Sequence, residues 1–183
     1  DIAAGASHNC ALDSSGTTIC WGSDVDGASS PPSTLFTTIT SGFVHGCGLE
    51  STGEAVCWGS ELLGGNSPPA GSFIAITAGD YYTCVLDTQG SPICWGDDMR
   101  GQSSPPKGSF TDISAGASHT CAIHSAGSVV CWGWDDDGQS SPAVGPLTDF
   151  IDIAAGFAHT CAIDSEGAAV CWGDDTHGQS SPP

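Results

Sequence analysis

Ten cysteines form the most regular chemical pattern in this 183-residue chain. They come in five pairs, and the two members of each pair stand ten positions apart. The chain has no CxxC motif and no histidine at zinc-finger spacing, so the pattern favours disulfide bonds over zinc ligation. We therefore predict five disulfides: Cys10 with Cys20, Cys47 with Cys57, Cys84 with Cys94, Cys121 with Cys131, and Cys161 with Cys171. Disulfides persist in oxidising compartments, so we expect an extracellular or cell-surface location.

Each cysteine pair brackets a segment with the features of a β-hairpin. A glycine lies six residues after the first cysteine, and Trp-Gly follows the second. If residues 10 and 20 face each other, then Ser14, Ser15 and Gly16 form a three-residue loop. The glycine then falls where left-handed backbone is wanted. The two sulfurs stand directly across the strand pair, at a separation that a disulfide can span.

The hairpins belong to an internal repeat, because the first cysteines follow one another at 37 residues, and at 40 before the last. Each unit combines an apolar strand, a hairpin, an acidic loop and a Pro-rich linker. Such units are typical of β-propeller blades, which share their cores with their neighbours. We predict one all-β, propeller-like domain over residues 1–183, with units 1–32, 33–69, 70–106, 107–142 and 143–183. The three extra residues of the fifth unit are expected in a loop between Pro142 and Ile153.

Two further side chains recur once per unit. The first is a histidine shortly before the hairpin, replaced by Tyr82 in the third unit: His8, His45, His119 and His159. Catalysis needs a unique histidine beside a nucleophile or acid, so the repetition favours a structural anchor that hydrogen-bonds the next turn. The second is a tryptophan expected to pack between blades: Trp21, Trp58, Trp95, Trp132 and Trp172. No nucleophile-elbow, phosphate-loop or metalloprotease motif occurs, so we predict no enzymatic activity.

The acidic loops leave two interpretations open. Two or three carboxylates before a glycine offer oxygen ligands for weak calcium binding, although their spacing does not match the twelve-residue calcium loop. The same carboxylates are suited to capping turns. No other cofactor and no firm metal site are predicted. The loops also hold four large apolar residues that the hairpins do not need: Leu62, Leu63, Met99 and Trp134. We interpret them as a candidate interface, or as residues tucked under a neighbouring blade.

The charge of the chain restricts its partners. Arg100 and Lys107 are its only basic residues, against 21 Asp and Glu, and the formal net charge is −19. A nucleic-acid partner requires a basic footprint, and adsorption to anionic lipid requires basic residues as well. No segment reaches the ~18 apolar residues of a membrane span. The expected partners are therefore proteins, foremost copies of the chain itself.

One set of motifs in the fourth unit, with equivalents in the others, carries a family resemblance: Ala115-Gly116, His119-Thr120-Cys121, Gly127, Cys131-Trp132-Gly133 and Gly138-Gln139. It resembles the regulator of chromosome condensation repeat, particularly the cysteine-bearing variant of secreted bacterial proteins. The resemblance implies a β-propeller used as a protein-binding platform, usually closed with seven blades. Five units leave three arrangements open: a five-bladed ring, an arc of a larger ring, or units completed by neighbouring copies.

Together these features favour a secreted, non-enzymatic repeat protein. We expect it to self-associate into an extracellular assembly through its loops and strand edges, because unprotected strand edges invite pairing. The alternative is a discrete propeller that acts as a binding module or inhibitor and recognises one partner protein.

Overall fold

The chain forms five three-stranded antiparallel sheets, one for each sequence unit. The computed structural model describes residues 1–142 and 149–183. The strands are β1 Ile2–Ala4, β2 His8–Leu12, β3 Thr18–Gly22, β4 Phe36–Ser41, β5 His45–Glu50, β6 Ala55–Gly59, β7 Phe73–Ala78, β8 Tyr82–Asp87, β9 Pro92–Gly96, β10 Phe110–Ala115, β11 His119–His124, β12 Val129–Gly133, β13 Phe150–Ala155, β14 His159–Asp164 and β15 Ala169–Gly173. Two single turns of 3-10 helix, Val25–Gly27 and Leu62–Gly64, lie in the first two acidic loops. The predicted all-β array of blades is confirmed.

Within each sheet the second strand lies in the middle, and the second and third strands form the predicted hairpin. In the first unit Cys10 faces Cys20, and the neighbouring pairs follow the expected register. The hairpin glycines have φ between +78° and +86°, a conformation that side-chain-bearing residues rarely adopt, which explains the glycine in every copy. The loop that starts the fifth unit was predicted between Pro142 and Ile153, and residues 143–148 of it lie outside the described part of the chain.

The ten cysteines pair within their hairpins as predicted, and none is free. Their Cα atoms lie 4.0–4.1 Å apart, somewhat closer than the ~4.5 Å typical of facing residues in a non-hydrogen-bonded pair of antiparallel strands. The first cysteine of each pair is fully buried in units one to four, whereas Cys161 in unit five is partly exposed. This difference is the first sign that the fifth unit lacks a neighbour on one side.

The core lies between sheets, and each apolar cluster combines residues from two successive units. Ile123 and Val129 of unit four, for example, pack against Ile153 and Trp172 of unit five. Each linker phenylalanine also binds the preceding hairpin turn, as where the backbone N–H of Phe110 donates to the carbonyl of Gly90 at 2.8 Å. A single unit therefore has no core of its own, as expected for stacked repeats.

The five sheets curve around a common centre without closing. A glycine follows the first strand of every unit. In units one to four, a Cβ atom added to this glycine would meet the carbonyl of the corresponding glycine in the next unit. This close approach runs from Gly5 through Gly42, Gly79 and Gly116 to Gly156, where no carbonyl of a further unit follows. Between the described residues of the last and first sheets there is no contact comparable to those between successive sheets. The described chain is thus an open arc of five blades. None of its described helical turns is long and apolar enough to cross a membrane.

Candidate interaction site: the end faces and the central cavity

The tryptophan after each hairpin ties its unit to the preceding one. The indole Nε1–H of Trp58 donates to the carbonyl of Ala28 at 3.1 Å, and Trp132 donates to Gln102 at 2.9 Å. Trp95 and Trp172 make the same bond to Gly65 and Gln139. The predicted packing between blades is thus accompanied by one directed hydrogen bond at each of the four internal interfaces, which satisfies the polar end of a buried ring.

The repeated histidine makes the reciprocal contact, from one unit to the next. Nε2 of His45 lies 2.9 Å from Oγ1 of Thr83, and Nε2 of His119 lies 2.8 Å from Oγ1 of Thr160. In the third unit the hydroxyl of Tyr82 donates to the carbonyls of Gly116 and His119, and accepts from Thr120. The residue therefore anchors the next unit. Burial lowers the pKa of His45 and His119 to about 4, so both rings are neutral at physiological pH.

The first interface departs from this pattern. Gly46 occupies the position of the threonine, and neither ring nitrogen of the fully buried His8 has a hydrogen-bond partner among the described residues. The space left by Gly46 is taken by Trp58, and the space left by Gly48 is taken by Phe36. The rings of Trp58 and Phe36 lie 5.6 Å apart. Unit two thus replaces a polar contact with aromatic packing.

Each end of the arc exposes one side of the interface that joins neighbouring units inside the arc. Trp21 of unit one is 47% exposed, whereas Trp58, Trp132 and Trp172 are at most 8% exposed. At the other end Ile163 is 38% exposed, whereas the equivalent residues of units two to four are at most 3% exposed: Leu49, Leu86 and Ile123. We define the first face by Ile19 and Trp21, and the last face by His159, Ile163 and Gln179. The first face presents the indole donor, and the last face presents the backbone carbonyl at the position that accepts such a donor inside the arc.

A cavity of about 340 Å³ lies at the centre of the arc and is lined by all five units. Its lining repeats three residues per unit, at the turn after the first strand: Ala4, Gly5, Ala6, Ser41, Gly42, Phe43, Ala78, Gly79, Asp80, Ala115, Gly116, Ala117, Ala155, Gly156 and Phe157. Backbone hydrogen bonds join these turns, from Phe43 N–H to Asp80 C=O (3.2 Å), Asp80 to Ala117 (3.1 Å) and Ala117 to Phe157 (3.3 Å). We call this the central cavity.

The acidic loops start beside the turns that line the central cavity. Each loop begins with a backbone hydrogen bond to the neighbouring cavity turn: Ser23 to Ser7, Ser60 to Val44, Asp97 to Tyr81, Trp134 to Ser118 and Asp174 to Ala158. Asp98 accepts hydrogen bonds from Ser103 and Ser104, and Asp135 accepts from the equivalent serines of its own loop. Hydrogen bonds to the Ser30 and Ser29 groups likewise lower the pKa of Asp24. These carboxylates close their own loops, and no group of three metal-ligating side chains occurs in the described ranges.

The four predicted interface residues lie in these loops and differ in their exposure. Met99 is 85% exposed, and Leu62 and Leu63 are both exposed. Trp134 is only partly exposed, and the guanidinium of Arg100 lies 5.6 Å from the centre of its ring. Arg100 also pairs with Asp136 at 3.7 Å, an exposed contact of little energetic weight. Their role in an interface stays a prediction.

The residue after each repeated glycine lines the central cavity, and the sequence pattern did not identify it as a candidate site residue. It is Ala6, Phe43, Asp80, Ala117 or Phe157, so it varies between units although the glycine before it and the cysteine four residues later recur in all five. Variation at one position of a regular repeat indicates that the fold does not dictate that residue. The same comparison between units would have found the Thr83, Thr120 and Thr160 partners of the preceding histidine or tyrosine.

A model of the regulator of chromosome condensation (RCC1) repeat matches residues 1–28, 110–139 and 150–179. No curated protein sequence matches the chain. Among solved structures, the chain is similar to the entire ectodomain of the receptor kinase CR4 from Physcomitrella patens, with 30% identity and a TM-score of 0.77. That similarity covers 94% of this chain and 49% of the ectodomain chain. The ectodomain of ACR4 from Arabidopsis thaliana gives 28% identity and a TM-score of 0.74, over 94% of this chain and 62% of that one.

The fold is also that of Prp20p from Saccharomyces cerevisiae, whose structure was described together with its binding to Gsp1p and histones. The TM-score is 0.86 at 17% identity, over all of this chain and 59% of Prp20p. The present chain therefore spans about half to three-fifths of the length of these structures. Three of its units match the repeat model and all five carry a disulfide across the hairpin, so the chain is built from repeats similar to the RCC1 repeat, in a cysteine-bearing form.

Proposed function

We propose that this chain is a non-catalytic building block that joins copies of itself outside the cell. The RCC1-like fold indicates a protein-interaction module. The observation that carries the proposal is the pair of end faces, because each presents one half of an interface that the chain builds four times internally. Association would bury the exposed indole of Trp21 and the exposed side chain of Ile163, two apolar groups that the internal units keep from water.

The two faces differ, so they join head to tail. The last face of one copy would receive the first face of the next, and every addition would leave one face of each kind free. Because all five units already curve around one cavity, we expect that a second copy cannot continue the same arc within its plane. We therefore expect successive copies to rise out of the plane and to form a helical filament.

The five disulfides support an extracellular location. Five disulfides are maintained in oxidising compartments, and none of the ten cysteines is free. The CR4 and ACR4 chains to which this chain is similar are also ectodomains. Because a disulfide crosslinks every hairpin, we expect the folded chain to persist outside the cell, where intracellular chaperones are absent.

Sedimentation velocity over a range of protein concentrations tests the proposal. We expect a distribution of sizes that shifts to larger species as concentration rises, and Trp21→Ala should reduce that shift. Met99→Ala is the matched control, because it removes an exposed apolar side chain from a loop and leaves both end faces intact. A single monomeric species at all concentrations would contradict self-association. Loss of assembly in Met99→Ala alone would assign it to the loops.

A second candidate function is recognition of one partner protein by a discrete module. The central cavity favours it, because its lining includes the exposed aromatic rings of Phe43 and Phe157. Prp20p, which shares the fold, is described with two kinds of protein partner. The two functions use different surfaces and are separable by mutation.

A further inference from the structure

We propose that the central cavity binds a lysine or arginine side chain presented by a protein partner. This inference concerns a surface distinct from the end faces and holds whether or not copies associate. The cavity combines three features that suit an organic cation: aromatic rings, one carboxylate without a partner, and a surrounding excess of negative charge.

The aromatic residues come from two different units. Phe43 and Phe157 line the cavity and remain 40% and 68% exposed, although the small residues at the equivalent position in other units show that the fold does not require them. The ring of Phe43 is held by Tyr81, with ring centres 5.5 Å apart. Exposed aromatic faces attract ammonium and guanidinium groups, because the ring face carries partial negative charge.

Asp80 supplies the charge inside this lining. Its backbone N–H and C=O belong to the chain of bonds that joins the turns, whereas its carboxylate makes no hydrogen bond or ion pair within the described residues. Burial raises the pKa of Asp80, which marks the carboxylate as partly withdrawn from water. A half-buried carboxylate of this kind gains more from a cation than an exposed one, since water screens it less.

The rest of the molecule favours the same ligand. The formal net charge of −19 raises the local concentration of cations around the molecule, and the acidic loops start beside the turns that line the cavity. The chain has only two basic residues of its own, of which Arg100 is engaged with Asp136 and Trp134. The cation is therefore expected from another protein. A peptide should bind better than a free amine, because it also reaches the loops.

An NMR titration of the uniformly ¹⁵N-labelled chain tests this site. The probe is an N-acetylated, C-amidated pentapeptide with a central lysine between glycines. We expect saturable shifts of the Gly79, Asp80 and Ala117 amide signals, and at least tenfold weaker binding of the same peptide with acetyl-lysine. Asp80→Asn should raise the Kd about tenfold, and Phe157→Ala several-fold. The matched control is Asp137→Asn, which removes the same charge from an exposed loop position and should change the Kd less than twofold at 150 mM salt.

Three results would overturn the proposal. Equal weakening by Asp137→Asn and Asp80→Asn would show diffuse attraction to the whole acidic surface. Binding of the acetyl-lysine peptide as tightly as the lysine peptide would show that the site does not select a cation. If tetramethylammonium binds as tightly as the lysine peptide, the ligand is a small organic cation and not a side chain of a protein. Circular dichroism of each variant confirms that the arc is folded before the titration is interpreted.

Discussion

At the scale of single residues, the internal interfaces differ in whether a buried histidine finds a threonine of the next unit as its hydrogen-bond partner. His45 and His119 each have a threonine of the next unit within hydrogen-bonding distance, and His8 faces Gly46 instead. A buried polar atom without a partner costs roughly 1–3 kcal/mol. The first interface carries that cost and offsets it with the packing of Trp58 and Phe36, which occupy the space of the absent side chains.

The buried histidines predict that stability falls as the solution becomes acidic. Their pKa in the folded chain, about 4 for His45 and for His119, lies below the unfolded value of 6.5. Between these values the unfolded state binds more protons, so the free energy of unfolding falls as pH drops from 6.5 towards 4. Each histidine should contribute a loss on the order of 2–3 kcal/mol by pH 4. Guanidinium unfolding at pH 7.5 and pH 5.0 measures most of this change, against a smaller opposing contribution from Asp80 and Asp112, whose pKa is raised by burial.

His119→Tyr is the matched control for this measurement, because unit three carries a tyrosine at the same position. The tyrosine does not titrate between pH 5 and 7.5, so the variant should lose the part of the pH dependence that His119 contributes and keep the parts from His45 and His8, whose pKa is also lowered by burial. A wild-type stability that is unchanged between pH 7.5 and 5.0 would contradict the burial of both rings.

Gly48 offers a second prediction at this scale. A Cβ atom there would lie 2.5 Å from Cδ1 of Phe36, so Gly48→Ala must displace that ring. We expect a loss of about 1–3 kcal/mol in the free energy of unfolding, measured by guanidinium titration. The control is Ala122→Gly at the equivalent position of unit four, which should also destabilise, since there the alanine is fully buried. Stabilisation by Gly48→Ala would show that unit two is not packed around its glycines.

At the scale of elements, the hairpin with its crosslink is the part of the fold that the sequence predicts best. The spacing of Cys10, Gly16 and Cys20 determines strand pairing, loop length and disulfide together, because all are local. The contacts between units were harder to predict from the sequence. That Trp58 binds the carbonyl of Ala28 depends on how two sheets stack, and this stacking leaves no signature in local spacing. The central cavity was missed for the same reason.

Removing one disulfide should lower the free energy of unfolding by an amount that depends on the length of the loop it closes. The double variant Cys121→Ala with Cys131→Ala opens a loop of about 11 residues, and the chain-entropy model predicts a loss of roughly 2.5–3 kcal/mol. Guanidinium unfolding under non-reducing conditions measures it. The pair Cys161→Ala with Cys171→Ala opens a loop of equal length in unit five and is the comparison. An equal loss in both places supports an effect on the unfolded chain, and no loss in either would contradict a stabilising role of the disulfides.

At the scale of the whole molecule, the open arc explains why apolar side chains lie exposed at two separate places. Every internal unit has neighbours on both sides. Its Ile163-equivalent residue is buried by them, and its tryptophan is buried in units two and four and half-buried in unit three. Units one and five each lack one neighbour among the described residues, so Trp21 and Ile163 remain exposed. These exposures follow from the repeat itself and need no special feature of either end unit.

A mixing experiment with two face-blocked variants tests the central claim most directly. Trp21→Arg places a charge on the first face, and Ile163→Arg places one on the last face; both positions are exposed, so the five sheets should still form. Each variant alone should sediment as an 18.3 kDa monomer. An equimolar mixture should form a species of twice that mass and nothing larger, because only one productive pair of faces remains. If the mixture stays monomeric while the wild type assembles, or if either variant alone still assembles, the end faces do not join copies of this chain.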